Sequence, residues 1–372
     1  MTTATCQKPR VSLPVLGAPQ AGVAPHGITG PRDIAAVKML RISVTDVCNL
    51  RCVYCMPAEG VEWLPKSSIL TYEEIATVVR ASVQLGITHF KLTGGEPTAR
   101  RDLATLVAML RAIAGVEDLS LTTNGILLEP LLERLHAAGL DRITISLDSL
   151  RPERFKAITR GGDFQRVWRA LQKALAMGFK RVKLNVVMMR GINDDEAADF
   201  AGLTRALPLT VRFIEFMPLG RSGLTDDPDS AMVSERETRA AIEAVHGPLV
   251  GVERRSEIGV GPANVWQLAG EAKGRIGFIS AMSHPFCESC NRLRMTPEGS
   301  MRSCLFDGGE VDLKPLLRGP EINHRDTETQ STHRGDLVGV EERIMQAMTS
   351  CVTMKPETHS MHGNKAMNRI GG

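Results

Sequence analysis

Apolar and polar residues alternate in short bursts along most of this chain. Six segments combine β-branched residues with a partial two-residue alternation: "LRISVT" (40–45), "ITHFKLT" (87–93), "DLSLTT" (118–123), "RITISLD" (142–148), "RVKLNVV" (181–187) and "VRFIEF" (211–216). Each predicts a strand. Between them the period becomes helical. Thr71 to Gln84 opens with Thr71 and Glu74 at capping-box spacing and stops before Gly86. Leu103, Leu106, Val107, Leu110 and Ile113 share one helical face closed by Gly115, and Asn193 with Glu196 opens a helix running towards Leu207. Such alternation implies parallel strands joined by crossover helices. The expected fold class is α/β, an incomplete TIM-type barrel of about six βα units with a C-terminal extension.

The polar residues favour the barrel over an open sheet, because they gather where the strands end. Thr45-Asp46 and three cysteines follow the first strand, and Thr93-Gly94-Gly95-Glu96-Pro97 the second. Thr122 to Gly125 close the third, Ser146 and Asp148 the fourth, Asn185 lies late in the fifth, and Met217-Pro218 follow the sixth. In parallel α/β folds that edge carries the active site. Asn124-Gly125 alone would be explained as a turn.

Four regions follow from the change of rhythm. Residues 1–38, rich in Pro, Gly, Ala and Thr, read as an extension, partly mobile at its start. Residues 39–220 form the partial barrel. Residues 221–318 begin with a Gly/Asp/Ser-rich stretch, continue with a helix near Ser234 to Val245 and short strands in "NVWQLA" and "RIGFIS", and hold a second cysteine group. Residues 319–372 comprise a polar insertion (to 336), read as a surface loop with no assigned role, and a tail ending in Gly371-Gly372.

Composition narrows the class. A net charge of +3 over 372 residues argues against bulk nucleic-acid binding but allows a local anion site. No apolar run is long enough to span a bilayer, and the N-terminus lacks the order of a secretory signal, so a cytoplasmic enzyme is expected. Six of the eight cysteines fall into two tight groups: Cys48, Cys52, Cys55 and Cys287, Cys290, Cys304. At these spacings in a reducing compartment they read as metal or cluster ligands; Cys6 and Cys351 read as ordinary thiols.

Three thiols are one short of a closed zinc site. The CxxxCxxC spacing alone leaves zinc and an iron–sulfur cluster equally open. The second group, CxxC plus one more, leaves a zinc knuckle with a distant fourth ligand such as His284 as the lesser alternative. Between its cysteines, Arg292 and Arg294 fall on one side of an extended segment, where two guanidiniums clamp an anion such as phosphate.

With Tyr54 before the third cysteine and "TGGEP" after the next strand, the chain resembles the radical S-adenosylmethionine enzymes. More narrowly, about residues 38 to 318 and the extreme C-terminus resemble the GTP 3′,8-cyclase family. The resemblance is carried by "RISVTDVCNLRCVYCMP", "LTGGEPTARRD", "LTTNG", "ITISLDS", "FCESCNRLRMTPEG" and the final "IGG". It implies a lyase that turns GTP into 3′,8-cyclo-7,8-dihydro-GTP in molybdenum cofactor biosynthesis. The implied cofactors are two [4Fe-4S] clusters and S-adenosyl-L-methionine.

The resemblance also implies residue roles. Cys48, Cys52 and Cys55 would hold the first cluster, whose open iron takes S-adenosylmethionine. Cys287, Cys290 and Cys304 would hold a second, in the C-terminal extension, whose open iron takes guanine. S-adenosylmethionine would meet Tyr54, Gly95, Ser146 and Met217. GTP would meet Arg41, Lys91, Thr122, Lys183, Arg292, Leu293 and Arg294, with the cations offsetting the triphosphate. Gly371 and Gly372 would thread into the pocket and be needed for catalysis. A closed barrel would keep water from the radical. Implied partners are a low-potential electron donor of flavodoxin or ferredoxin type and a downstream cyclic pyranopterin monophosphate synthase; a homodimer is compatible with the sequence. Two positions depart from the family pattern, which commonly has Arg where Lys91 stands and often Arg where Val47 stands. Rival readings are another radical S-adenosylmethionine enzyme with an auxiliary cluster, such as a peptide modifier, and a non-catalytic metal- or cluster-binding protein.

Overall fold

A computed structural model describes residues 30–219, 224, 227–252, 260–319 and 335–359. Gly371 and Gly372, most of the 1–38 extension and residues 320–334 of the polar insertion lie outside them. The six expected strands all form: β1 (Met39–Ser43), β2 (His89–Thr93), β3 (Asp118–Thr123), β4 (Arg142–Ser146), β5 (Arg181–Met188) and β6 (Leu209–Glu215). They pair in sequence order, all parallel. The crossovers carry α1 (Tyr72–Gln84), α2 (Leu103–Arg111), α3 (Leu132–Ala137), α4 (Pro152–Thr159), α5 (Phe164–Ala176) and α6 (Ala197–Ala206).

Side-chain parity explains the layering. On β1 to β5, Leu40, Ile42, Phe90, Leu92, Leu119, Leu121, Ile143, Ile145, Leu184 and Val186 are fully buried in the main core, beside apolar helix residues such as Val78, Leu106 and Leu171. The intervening Arg41, Lys91, Thr122, Lys183 and Asn185 line an internal cavity instead. A period of two thus sends apolar residues to the helices and polar ones inwards.

The expected capping box at Thr71 and Glu74 forms, as does one at Ser234 and Glu237. The helix expected from Asn193 and Glu196 towards Leu207 forms as a single turn, Asp194–Glu196, followed by α6, with no capping box at its start. Asn193 is fully buried and donates to the carbonyls of Asp148 and Val187, while Glu196 accepts from Ser149 and the Leu150 N–H. Both residues are used to join strand ends, so α6 starts at Ala197 with no side-chain cap.

Beyond β6 come α7 (Pro228–Ala231), α8 (Glu235–His246), β7 (Leu249–Gly251), β8 (Asn264–Leu268), β9 (Arg275–Ile279), β10 (Arg292–Met295), β11 (Ser300–Arg302), β12 (Glu310–Asp312), α9 (Lys314–Arg318) and α10 (Gly335–Thr353). This region joins the barrel's own sheet. β9 pairs parallel with β6, and β10 pairs parallel with β1. The result is one twelve-stranded sheet, ordered β12-β11-β10-β1-β2-β3-β4-β5-β6-β9-β8-β7. Its two ends are not bonded to each other, so the barrel is partial and the closed barrel invoked as a water barrier is corrected to an open one. No element was expected over 335–353. There Ile344, Met348, Cys351 and Val352 bury one helical face of α10, which packs beside α1 and places Cys351 in the core as an ordinary thiol. Among the described residues no helix is long and apolar enough to cross a membrane.

Candidate active site

The inward faces and C-terminal ends of the parallel strands enclose a cavity of about 280 Å³. Cys48, Cys52 and Cys55 line it, and so do Cys287, Cys290 and Cys304. All six are free thiols. The fold therefore brings both cysteine groups to one space from nearly opposite ends of the described chain.

The first group sits on the loop after β1, and hydrogen bonds fix that loop along its length. The Val44 N–H donates to Thr93 O (2.9 Å), the Gly95 N–H to Thr45 O (2.7 Å) and the Glu96 N–H to Val47 O (2.8 Å). Farther along, the Arg51 and Val53 N–H groups donate to Thr159 O and Ile158 O at the end of α4. The Arg160 guanidinium holds the carbonyls of Arg51 and Met56 (3.1 and 2.9 Å). Arg160 has φ +53°, a left-handed conformation unusual outside glycine.

Two glycines after β2 belong to the same junction. A Cβ on Gly94 would lie 2.5 Å from Thr45 O, and one on Gly95 would overlap the carbonyls of Asp46 and Val47. The missing side chains let this loop lie directly against the cysteine loop. Glu96 serves the same junction from within: it is buried and accepts from Thr98, Thr123 and the Asn124 N–H. Burial pushes its carboxyl up against the pull of these donors.

Tyr54 lines the cavity, and its hydroxyl is committed to Asp148 Oδ2 (2.8 Å), which ties the cysteine loop to the end of β4. Burial lifts the Asp148 carboxyl to about 6 against the pull of the Val187 N–H and the Tyr54 hydroxyl. Tyr54→Phe should therefore cost about 1–3 kcal/mol in urea unfolding of the apoprotein. The loss should be larger at pH 8 than at pH 5, because above about 6 Asp148 is ionised and left short of a donor. An equal loss at both values would place Tyr54's contribution in packing alone.

Burial also governs the thiols. It raises Cys48 to about 11 and Cys52 well above the ordinary value. In the second group it likewise raises Cys287. Cys290 goes the other way: Arg292, Lys355 and Arg294 outweigh its burial and lower it.

The wall between the two groups is cationic. In the sheet register Arg41 stands beside Arg294 on one side and Lys91 on the other, three cations abreast on adjacent strands. Lys183, Arg292 and Arg212 line the same cavity. Lys91 Nζ rests on the hydroxyls of Thr122 (3.3 Å) and Thr144 (3.5 Å). Burial, then repulsion from Arg212, Arg142, Arg41 and Lys183, holds its pKa well below the lysine norm. Arg41 is lowered by burial and by Arg294, Arg292 and Arg212, and burial takes Arg294 down to about 10. Like charges packed abreast repel one another and make this wall suited to an anion.

Gly95, Thr122, Ser146 and Met217 also line the cavity. Leu293 does not: between two inward arginines its side chain points the other way and is fully buried in the core. Its backbone is the part of it that is available to a ligand. His284, the imagined fourth zinc ligand, lines a neighbouring polar recess with Ser280 and Asn291. Among the described residues no three His, Cys, Asp or Glu side chains converge tightly enough to hold a single metal ion. Two groups of free, cavity-lining thiols are a donor set suited to iron–sulfur clusters with one iron left to another ligand. Sequence reasoning missed Arg212, whose position two residues before the inward end of β6 was a usable signal, and His359, which had none.

Comparison with known proteins agrees with this geometry. The Radical SAM superfamily model matches residues 42–204, and the Molybdenum Cofactor Synthesis C model matches 209–361. Solved structures share the fold: Streptococcus suis SuiB bound to S-adenosylmethionine superposes with TM-score 0.55 at 13% identity, covering 76% of this chain and 64% of SuiB. A partial barrel with this cysteine loop defines a radical SAM enzyme, whose cofactors are a [4Fe-4S] cluster and S-adenosylmethionine. The GTP 3′,8-cyclase of Pelotomaculum thermopropionicum is 45% identical over 340 residues, 90% of this chain and 98% of the relative. That of Moorella thermoacetica is 43% identical over 342 residues, with the same two coverages. The chain belongs to the GTP 3′,8-cyclase family.

Proposed function

We propose that the cavity binds GTP between two clusters and that the chain converts it to 3′,8-cyclo-7,8-dihydro-GTP for molybdenum cofactor biosynthesis. The observation that carries this reading is the row Arg294–Arg41–Lys91, with Lys183, Arg292 and Arg212 on the same cavity. A triphosphate is complementary to such a cationic wall, and Arg and Lys meet phosphate by charge-assisted hydrogen bonds. The neutral Thr122 hydroxyl stands beside Lys91 to complete the phosphate contacts, and the Leu293 backbone lies between the two arginines.

Cys48, Cys52 and Cys55 hold the first cluster in this proposal, and Cys287, Cys290 and Cys304 a second. With S-adenosylmethionine bound, and on one electron from the low-potential donor, the first would supply a 5′-deoxyadenosyl radical with methionine as the leaving group. The chain's own residues do the rest. Tyr54, Gly95, Ser146 and Met217 flank S-adenosylmethionine, and the cations fix the ribose between the two cysteine groups. Buried walls limit competing water and hydrogen donors. The outcome would be transfer of the ribose C3′ hydrogen to the 5′-deoxyadenosyl radical, giving 5′-deoxyadenosine, a new bond from C3′ to guanine C8, and uptake at N7 of one electron from the low-potential donor and one proton.

Residues 39–220 thus act as the radical-forming barrel and 221–318 as its substrate-side part, though both share one sheet. Gly371 and Gly372 are proposed to enter the cavity. They lie twelve and thirteen residues past His359, which lines it, and a chain spans about 3.3–3.6 Å per residue when extended. Partners in this proposal are a low-potential electron donor and a downstream cyclic pyranopterin monophosphate synthase, in the cytoplasm.

Anaerobic reconstitution tests the reading. With dithionite, S-adenosylmethionine and GTP, the protein should carry about eight iron atoms per chain and form 5′-deoxyadenosine together with the cyclised nucleotide. About four iron atoms, or 5′-deoxyadenosine formation indifferent to GTP, would sink it.

A further inference from the structure

The segment that leaves α10 crosses the second cysteine group and engages each part of it. Ser303 Oγ, next to Cys304, donates to Met354 O (3.3 Å), and the Met354 side chain occupies the space a Cβ on Gly309 would need. Lys355 is 4% exposed, and its Nζ donates to Cys290 O (2.9 Å). The backbone N–H of His359 donates to the Cys287 sulfur. The His359 ring stacks on Phe306, 4.1 Å between centroids and 9° between planes, and its Nε2 donates to Ala281 O (2.7 Å). Arg32 Nε holds Lys355 O from the other side (2.8 Å).

A carbonyl alone does not offset the burial of an ammonium group. The groups of negative tendency that face Lys355 are the sulfurs of Cys290, Cys304 and Cys351, with Arg292 as an opposing charge. A cation among these sulfurs is complementary to a thiolate-bound cluster, whose net charge is negative.

We propose that Met354–His359 is a strap that sets the reduction potential of the second cluster, Lys355 through its charge beside Cys290 and His359 through its N–H on Cys287. The proposal rests on the reading of Cys287, Cys290 and Cys304 as cluster ligands. Reduction adds one electron from an external low-potential donor and makes the cluster more negative. A nearby cation and an N–H···S bond stabilise that state and raise the potential. Lys355 acts through the cluster's surroundings and is a positioning residue.

The test uses the full chain with Cys48→Ala, Cys52→Ala and Cys55→Ala combined, which leaves only the second cluster for a redox titration followed by electron paramagnetic resonance. Adding Lys355→Met should shift the reduced-to-oxidised ratio at fixed potential about tenfold towards the oxidised form, about 59 mV for one electron. Lys355→Arg should hold the midpoint of the background. If Lys355→Met fails to load iron, Lys355→Gln keeps a donor for Cys290 O without the charge and should show the same shift. An unmoved midpoint in the uncharged variants overturns the strap, as does a Lys355→Arg midpoint as low as theirs. A triple variant that binds no iron overturns the second-cluster reading itself, and with it this proposal.

Discussion

Lys91→Met should make the empty protein more stable and GTP about tenfold to a hundredfold weaker as a ligand. The two effects share a cause. Lys91 is 8% exposed, abreast of Arg41, with Arg212, Arg142 and Lys183 close enough to repel it. Its folded-state pKa lies below the ordinary lysine value of 10.5, so the folded chain binds fewer protons there than the unfolded chain. The sign follows directly. The penalty from a charged Lys91 is fully present at pH below the folded value and fades as pH rises towards 10.5. The gain from Lys91→Met should accordingly be larger at pH 6 than at pH 9.5, read as a melting temperature.

With a triphosphate in place the order reverses. A charge-assisted hydrogen bond to phosphate contributes about 1.5–3 kcal/mol, which is about tenfold to a hundredfold in affinity. GTP should therefore raise the melting temperature of the native chain more than that of Lys91→Met. Lys91→Arg, which restores the residue common in the family, should keep the GTP affinity and gain a bidentate fork. A Lys91→Met protein that is less stable when empty and binds GTP as before would show that the cationic wall has another purpose.

Much of this architecture is legible in the sequence because the signals are local. The strand ends, the capping box at Thr71, the helix near Ser234 and the gathering of polar residues at one sheet edge all follow from short-range spacing and from periods of two and 3.6. What was not legible depends on pairing across long stretches of chain. Nothing near Arg292 says that β10 will lie beside β1, yet that pairing sets Arg294 next to Arg41 and completes the anion wall. Lys355 and His359 read as tail residues until α10 docks on α1 and carries them over the second cysteine group. Gly94 and Gly95 were legible as special, but their packing against the cysteine loop was not. Their neighbours are backbone carbonyls of the cysteine loop, which no pattern in "TGGEP" announces.

That packing makes Gly95→Ala the second change of large effect. Its Cβ would stand 2.5 Å from Val47 O and would overlap Asp46 O as well. Both are main-chain atoms, so no rotamer change relieves the clash. The Thr45–Val47 segment must move, which breaks the bonds from the Gly95 N–H to Thr45 O and from the Glu96 N–H to Val47 O. Cys48 follows immediately and moves with it. Misplacement by about 1 Å is enough to cost about a hundredfold in rate. Gly95→Ala should therefore lose most iron from the first cysteine group and form 5′-deoxyadenosine at least about a hundredfold more slowly. Iron at Cys287, Cys290 and Cys304 should remain, since among the described residues their hydrogen bonds run to neighbours other than this loop. Gly202→Ala is the control: it lies within α6, where a Cβ meets only the His246 ring at 3.5 Å, and alanine in a helix is favoured by roughly 0.5–1 kcal/mol. It should be fully loaded and at least as stable as the native chain. Full loading and native turnover in Gly95→Ala would mean that the two loops are not locked together and that the glycines serve the bound cofactor alone.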